Sequence, residues 1–297
     1  MIWNFGDVSE EQGRKETARF GVVPVPFERT TSYGKGTGAG PEAIVAASRY
    51  LELFDEVYRF QPADAGVWTA EPFSFPHETL DAAIHHIYTS AAELLRTDRF
   101  LVFLGGEHSI TFPIVQAYRE RFPRLSVLQI DAHADLRPEY EGSIHSHACV
   151  MRRVVSVCRS VQVGIRSLSR EEYEALPGLD TTMIFAHEFL ADRDGAVQKM
   201  LEKLGPDVYI TFDLDGFDPS LLPATGTPEP GGLSWGDALM LLERVFASRR
   251  VVGCDIVELA PLAGFHAGDF LAAKLAYKMM AMRQFFAAPN LKSTFGG

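Results

Sequence analysis

Cysteine, basic charge and long apolar segments are all scarce in this 297-residue chain. The three cysteines are odd in number and widely scattered, which argues against a disulfide framework and for a reducing compartment. No segment reaches the run of roughly 18 apolar residues that a spanning helix needs, and the first residues turn polar too soon for a signal peptide. The sequence therefore predicts a cytoplasmic protein without a membrane segment.

Negative charge is in excess, because 28 Lys and Arg residues stand against 39 Asp and Glu residues and give a formal net charge of −11. Such a surplus repels phosphate backbones, so broad nucleic-acid binding is not expected. It fits a small cationic ligand. The 46% apolar content is that of a globular protein with a sizeable core, and internal repeats and low-complexity tracts are absent from the sequence.

Short apolar runs alternate with helix-like stretches from about residue 100 onward. The runs are typical of buried strands, and they occupy residues 100–104, 126–130, 161–165, 182–185, 208–212 and 251–257. Helix-like stretches cover residues 112–121, 171–175, 195–203, 234–247 and 268–286. This alternation predicts a parallel sheet with helices on both faces. We expect one domain over residues 1–297, because no linker separates the strands.

A Gly-rich stretch from Thr31 to Pro41 is the most loop-like part of the chain. It does not match a phosphate-binding loop, because no Gly-Lys-Ser/Thr occurs at the required spacing. We interpret it as a surface loop that ends where Pro41 begins a helix through Ala47. Loop residues of this kind can line the rim of a site.

Ionisable residues follow several predicted strands at their carboxyl ends, which is the edge where open parallel sheets bind ligands. The residues are His108, Asp131, His133, Asp135, Asp213, Asp215, Asp218 and Glu258. Alternate residues of an extended segment point the same way. Asp131, His133 and Asp135 can therefore converge, and so can Asp213 and Asp215.

Four crowded carboxylates cannot all stay ionised without a compensating positive charge. Neither Asp motif contains Arg or Lys, so a divalent metal is the natural counter-charge. Two imidazoles and four carboxylates suit a pair of borderline-hard ions better than a structural zinc. Gly-Gly-Glu-His alone is more often a turn, and Asp-x-Asp alone a helix cap, whereas Asp-x-His-x-Asp is moderately specific for metal by itself. The combination of all three at strand ends indicates a metal site.

In these motifs the chain resembles the ureohydrolases, the family of arginases and agmatinases. The matching motifs are Gly-Gly-Glu-His108-Ser, Asp131-Ala-His133-Ala-Asp135, Ser-His147-Ala, Phe-Asp213-Leu-Asp215-Gly-Phe-Asp218-Pro and Asp255-Ile-Val-Glu258. The segments Thr225–Leu233 and Thr-Ser-Tyr-Gly near the N-terminus also resemble the family, so the likeness covers most of the chain. It implies a single three-layer α/β/α domain with a mainly parallel eight-stranded sheet. It also implies a homo-oligomer, either a trimer or a hexamer.

The resemblance further implies two Mn²⁺ ions per chain and hydrolysis of a guanidino group to urea and an amine. By motif match, one ion would be held by His108, Asp131, Asp135 and Asp213. The other would be held by His133, Asp131, Asp213 and Asp215, so that Asp131 and Asp213 bridge the pair. A hydroxide that bridges the two ions would attack the guanidinium carbon, and Asp135 would aim it.

Two further residues carry predicted roles through the resemblance. Glu258 matches the carboxylate that holds the guanidinium, and His147 matches the proton shuttle for the leaving amine. The family usually has Gly after this histidine, whereas this chain has Ala148. The remaining histidines are interpreted as structural, with His85 and His86 on a polar helix face and His77, His187 and His266 on loops.

The substrate is expected to be agmatine, which would yield urea and putrescine in polyamine biosynthesis. The segment after Asp135 lacks the Asn of arginases, which disfavours arginine, and Glu139 and Glu141 could attract a terminal amine. Because of Arg137, guanidinobutyrate and guanidinopropionate stay open as alternative substrates. A non-catalytic metal-binding homologue stays open as an alternative function. A formimidoylglutamase is disfavoured by His147, and a one-zinc deacetylase by the ligands for a second ion.

Overall fold

The computed structural model describes residues 4–76 and 78–287, and in these ranges eight strands form a single sheet. The strand order is β2-β1-β3-β8-β7-β4-β5-β6, and every pair of neighbours is parallel. The strands are β1 (Phe20–Val25), β2 (Val67–Thr69), β3 (Phe100–Gly105), β4 (Leu125–Ile130), β5 (Ser160–Ile165), β6 (Thr181–Phe185), β7 (Asp207–Asp213) and β8 (Arg250–Val257). All six predicted strands are confirmed.

The apolar pattern did not indicate β1 and β2. β1 contains Gly21 and Pro24, which are rare inside strands, and β2 has only three residues. β1 nevertheless pairs with β3 along its whole length, from Phe20 opposite Phe100 to Val25 opposite Gly105. Pairing with β3 along all six residues thus outweighs the weak strand propensity of this segment.

The helices of the described residues are α1 (Gly40–Ser48), α2 (Leu80–Leu94), α3 (Thr111–Arg121), α4 (Val150–Val154), α5 (Arg170–Ala175), α6 (Ala186–Ala191), α7 (Arg193–Lys203), α8 (Trp235–Ser248) and α9 (Ala267–Ala287). The predicted helices are confirmed within two residues at each end. The short helices α4 and α6 were not predicted, and the loop interpretation of His187 is wrong because His187 lies in α6. His266 lies just before α9 as expected, whereas His77 lies outside the described residues.

Helices cover both faces of the sheet and form three layers. Side chains alternate across the strands, so that Leu101 and Tyr209 pack on one face and Val102 and Ile210 on the other. The first face is covered by α2, α3 and α4, and the second by α1, α7, α8 and α9. No helix among the described residues is long and apolar enough to cross a membrane.

The four central strands, β3, β8, β7 and β4, lie side by side in the sheet although they are distant in the chain. His108 follows β3, Glu258 follows β8, Asp213 ends β7 and Asp131 follows β4. Their carboxyl ends reach the same level, since Asp213 lies opposite Val257 and Ile130 lies opposite Phe212. The topology therefore brings the residues of these four segments to one edge of the sheet.

Candidate metal centre

A first group of side chains surrounds the imidazole of His108, which is 1% exposed. Its Nδ1 lies 3.2 Å from Asp131 Oδ2, 3.1 Å from Asp135 Oδ2 and 3.3 Å from Asp213 Oδ2. This nitrogen is nevertheless a buried atom without a well-formed hydrogen bond among the described residues. His108, Asp131 and Asp213 offer ligand atoms close enough together to hold one metal ion.

A second group lies beside the first and shares Asp131 with it. His133 Nδ1 lies 2.9 Å from Asp215 Oδ2 and 3.7 Å from Asp131 Oδ1, and these three residues could also hold an ion. Asp131 thus presents Oδ2 to the first group and Oδ1 to the second, as a bridging ligand would. Asp213 belongs to the first group, and its Oδ1 accepts the backbone N–H of Asp215 at 2.9 Å.

The electrostatics of both groups indicate a missing positive charge. Burial and the charge of Asp215 raise the pKa of Asp131 to about 7, and burial with the same neighbour raises the pKa of Asp213 well above its usual value. Burial would lower the pKa of His133, but the Asp215 and Asp131 carboxylates raise it to about 11. Among the described residues no Lys or Arg forms an ion pair with these carboxylates. A divalent cation would supply the charge that protons otherwise have to provide.

Hydrogen bonds behind His108 leave Nδ1 free to be a ligand. His108 Nε2 lies 2.8 Å from Thr211 Oγ1, and Thr211 in turn donates its hydroxyl hydrogen to Asp255 Oδ1 at 2.6 Å. The Thr211 oxygen therefore accepts from Nε2–H, so a neutral imidazole turns the lone pair of Nδ1 toward the three carboxylates. Such an arrangement fits a metal ion, because ligating histidines usually donate their other ring N–H to a fixed acceptor. Asp255 also accepts from Thr111 and Tyr209.

Amide and guanidinium groups hold the remaining ligands in place. Gln129 Nε2 donates to Asp131 Oδ2 at 2.6 Å, and Gln129 itself accepts from Gln162. Arg166 donates to the backbone oxygens of Asp215 and Glu229, each at 2.7 Å, which fixes the turn that carries Asp215. The sequence motifs did not predict these contacts. Gln129 and Gln162 are nevertheless polar residues inside apolar strands, a pattern that can indicate a buried hydrogen-bond network.

Two of the predicted site residues have unusual backbone conformations. Asp135 has a φ of 52° and Glu258 a φ of 66°, in the left-handed region, which Asp adopts more readily than most residues with a side chain and which Glu adopts seldom. Local strain of this kind is tolerated where surrounding contacts fix it, commonly at functional sites. For Glu258 one such contact is the hydrogen bond from the His108 backbone N–H to Oε1, at 2.6 Å.

Glu258 is buried at the edge of the same pocket, and its charge has little compensation. Burial and the neighbouring carboxylate of Glu107 raise the pKa of Glu258 well above its usual value. Glu107 itself was not foreseen as part of the site, although it directly precedes His108. It reaches the loop after β1 because Gly106 passes so close to Phe27 that a Cβ there would lie 2.1 Å from the Phe27 oxygen.

His147 lines the same pocket as His108 and His133 and is half-buried. Its backbone N–H donates to Thr30 Oγ1 at 3.0 Å, and its ring packs edge-on against Tyr140 with centroids 6.3 Å apart. Ring atom Nε2 lies 3.5 Å from Ser32 Oγ. The loop after β1 thus contacts the imidazole through Thr30 and Ser32, and the adjacent Ser146 Oγ lies 3.4 Å from Nδ1.

Glu258, His147 and the members of the two groups other than Asp131 line one polar pocket with a volume of about 260 Å³. The loop from Thr31 to Gly34 forms one wall, and Gly34 donates a backbone hydrogen bond to Gly226 across a contact that has no room for a Cβ. Arg137 and Tyr140 line the pocket, with the guanidinium 5.2 Å above the Tyr140 ring. Glu139 and Glu141, which flank Tyr140, are exposed outside the lining.

The chain is similar to known proteins over most of its length. The family model described as the Arginase family matches residues 18–282. The sequence is 41% identical to "N(1)-aminopropylagmatine ureohydrolase" of Synechocystis sp., over 87% of each chain. It is 34% identical to "Agmatinase" of Pyrococcus horikoshii, over 88% of this chain and 90% of the other. The structure of agmatine ureohydrolase of Thermoplasma volcanium has a TM-score of 0.85 at 31% identity and covers 97% of this chain and 96% of that one.

Proposed function

The chain belongs to the arginase family and is a ureohydrolase of the agmatinase type, and we propose that its substrate is N(1)-aminopropylagmatine. Hydrolysis would release urea and leave the corresponding triamine. The observation that carries this proposal is the 41% identity to relatives of that name in Synechocystis sp. and Thermus thermophilus, against 34% to an agmatinase. Agmatine, with putrescine as product, is the shorter alternative that the sequence by itself favoured.

We propose that two Mn²⁺ ions occupy the two groups, with His108, Asp131, Asp135 and Asp213 at one ion and His133, Asp131 and Asp215 at the other. The free Nδ1 of His108 and the two-sided carboxylate of Asp131 support this assignment. A second contact of Asp213 with the neighbouring ion stays a prediction. When bound, such a pair of ions activates water for attack at neutral pH and offsets the carboxylate charge. The predominance of carboxylate ligands suits manganese.

Glu258 would bind the guanidinium group of the substrate. A buried carboxylate at the pocket wall offers a charged and directional partner to a planar cation. The His108 N–H holds Oε1, so the carboxylate is fixed before the substrate arrives. A bound guanidinium would also lower the pKa of Glu258, which burial and Glu107 have raised, and the substrate would thereby complete the charge balance of the site.

His147 would deliver a proton to the amine that leaves the reacting carbon. An expelled amine is a poor leaving group unless it is protonated, and an imidazole is suited to this transfer near neutral pH. His147 lines the pocket and is accessible to solvent, so it can recover a proton after each cycle. Asp135, beside His108, would accept a hydrogen bond from the attacking water and orient it.

The pocket mouth supports a polyamine tail. Tyr33, which is 83% exposed, and Tyr140 line the pocket and offer aromatic faces to an ammonium group. We propose that the second amine of an aminopropyl extension pairs with the exposed carboxylate of Glu139 or Glu141, the residues that flank Tyr140 in the chain. A substrate without this extension would end closer to the pocket interior and use these carboxylates less.

A second candidate is a guanidino compound with a carboxylate tail, such as guanidinobutyrate. It is favoured by Arg137, whose guanidinium lines the pocket. Against it, Glu172 Oε2 lies 4.0 Å from Arg137 Nε and offsets part of the charge. If Arg137 binds a substrate carboxylate, Arg137→Ala should abolish hydrolysis of guanidinobutyrate and leave hydrolysis of agmatine in place.

The deciding experiment is urea release from a panel of guanidino compounds by the Mn²⁺-loaded protein. We expect the highest kcat/KM for N(1)-aminopropylagmatine, then agmatine, then guanidinobutyrate, guanidinopropionate and arginine. Higher kcat/KM for agmatine would correct the substrate, and absence of urea from every compound would refute the proposed activity. Chelation should remove the activity, and readdition of Mn²⁺ should restore it.

We also propose that the chain is a homo-oligomer. Tyr50, Phe54 and Val57 form an exposed apolar group after α1, with exposed fractions of 80%, 56% and 57%. Exposed apolar patches of this kind commonly lie at protein interfaces. Light scattering of the purified protein should give the mass of a trimer or a hexamer, and a monomer mass would contradict this proposal.

A further inference from the structure

Glu107 is a fully buried carboxylate that connects the sheet edge to the loop after β1. Its Oε2 accepts the backbone N–H groups of Arg29 and Thr30, each at 2.6 Å. Its Oε1 accepts the hydroxyl groups of Thr30 at 2.7 Å and Ser109 at 2.5 Å. Glu107 is fully buried and does not line the pocket, so it is not placed to contact a substrate.

The Thr30 hydroxyl stands between Glu107 and His147. An ionised carboxylate can only accept, so the single hydroxyl hydrogen of Thr30 points to Glu107. The oxygen of Thr30 is then left with its lone pairs for His147. One of them accepts the His147 backbone N–H at 3.0 Å, and the other faces the ring atom Nδ1 at 3.4 Å.

This polarity distinguishes the two neutral tautomers of His147. If Nδ1 carries the hydrogen, it points to a lone pair of Thr30. If Nδ1 is bare, two lone pairs face each other at 3.4 Å. The competing donor is Ser146, whose Oγ is also 3.4 Å from Nδ1 and whose hydrogen is not committed elsewhere among the described residues.

We propose that Glu107, acting through Thr30, is a positioning residue that keeps the hydrogen of neutral His147 on Nδ1 and leaves Nε2 as the proton-exchanging atom. The inference rests on the proposed role of His147 in proton transfer. The proton taken up by Nε2 would come from solvent and would pass to the leaving amine, which restores the same neutral tautomer. Ser32, 3.5 Å from Nε2, is the nearest hydroxyl on that side.

Two substitutions have different expected effects on the tautomer. In Thr30→Val the acceptor for Nδ1–H disappears. In Glu107→Gln the side-chain amide can donate to Thr30 and reverse the direction of its hydroxyl, which then donates to Nδ1 and favours the hydrogen on Nε2. Thr30→Ser is the matched control, because it keeps a hydroxyl in the same position.

The tautomer can be read without any enzymatic turnover. Magic-angle-spinning NMR of ¹⁵N-histidine-labelled protein, loaded with diamagnetic Zn²⁺, separates protonated and bare ring nitrogens, and the His147 signals are those lost in His147→Ala. We expect protonated Nδ1 in the native protein and in Thr30→Ser. In Glu107→Gln we expect protonated Nε2, and in Thr30→Val a mixture of the two tautomers.

Urea-release kinetics provide the second readout. We expect kcat of Thr30→Val and Glu107→Gln to fall about 10- to 100-fold, with KM and metal content within about twofold of the native protein. In Thr30→Ser, kcat should stay within about threefold of the native value. A bare Nδ1 in the native protein, or an unchanged tautomer in both variants, would overturn the inference even if the native enzyme releases urea. If no substrate releases urea, the proposed function fails, while the NMR result still decides the tautomer.

Discussion

At the amino-terminal edge of the sheet, arginine side chains pair with backbone oxygens and single carboxylates, whereas the carboxyl-terminal edge gathers carboxylates around two imidazoles. Just before β3, Arg99 donates to the backbone oxygens of Ala18 and Lys15. At the start of β8, Arg250 Nε pairs with Asp207 Oδ1 at 2.6 Å. Each of these charges has a partner of its own within the fold.

The carboxyl-terminal edge differs in both burial and balance. Asp131, Asp213 and Asp215 are between 0% and 3% exposed, and their partners among the described residues are two imidazoles and neutral hydrogen-bond donors. Clustered buried carboxylates cost stability unless something offsets their charge. The edge with paired charges therefore stabilises the fold, whereas the edge with excess negative charge is where ions and a cationic substrate would bind.

Removal of one carboxylate from each edge should have the largest and most different effects on metal content and activity. Asp131→Asn should lose both metal ions and at least about a thousandfold in kcat/KM, because Asp131 faces both groups. Asp207→Asn, the matched control, should keep metal and activity and lower the free energy of unfolding by about 1 kcal/mol. Elemental analysis, urea release and denaturant unfolding measure these effects. Full metal occupancy in Asp131→Asn would contradict the assignment.

Removal of His147 distinguishes metal binding by the two groups from proton transfer at the same edge. His147→Ala should retain both metals, since its ring is not part of either group, and lose about 10²- to 10³-fold in kcat. The decrease in kcat should be smallest at acidic pH, where buffer acids and hydronium can protonate the leaving amine. A native rate in this variant would exclude His147 as the proton donor.

Metal removal should expose the charge imbalance as a pH effect on stability. The pKa of Asp131 is raised from 3.8 to about 7 and that of His133 from 6.5 to about 11, so both groups bind protons more tightly in the folded state. Falling pH therefore stabilises the metal-free protein through His133 between about 11 and 6.5, and through Asp131 between about 7 and 3.8. We expect the Tm of chelated protein to rise from about pH 8 to about pH 5, in contrast to metal-loaded protein. A fall over this interval would contradict the charge assignment.

The smallest expected effect concerns the pocket mouth. Glu141→Gln should raise KM for N(1)-aminopropylagmatine about threefold to fivefold, because an exposed ion pair contributes under about 1 kcal/mol. KM for agmatine should change by less than twofold, and the matched control Glu139→Gln tests which of the two carboxylates lies nearer the tail. Equal changes for both substrates would remove Glu141 from the recognition of the extension.

Much of the fold could be predicted because β3 to β8 contain short apolar runs, most of which stop at glycine or at a charged residue. β1 and β2 escaped prediction, since Pro24 and the three-residue length of β2 weaken the pattern. In the site, Asp131, His133 and Asp215 were recognisable by their spacing after a strand. Thr211 and Arg166 were not, because a threonine in a strand or an arginine in a loop has no distinctive pattern.

The sequence by itself determined the class of the fold and the types of ligand that meet at its edge. Strand periodicity and position at a strand end are local properties, so they can be identified without knowing which strands are adjacent in the sheet. Only the tertiary structure decided that Asp131 turns one oxygen to each group, that Thr211 leaves His108 Nδ1 free, and that Thr30 reaches His147 from 117 residues away. These arrangements depend on strand order and on close backbone contacts such as that of Gly106, which no local pattern specifies.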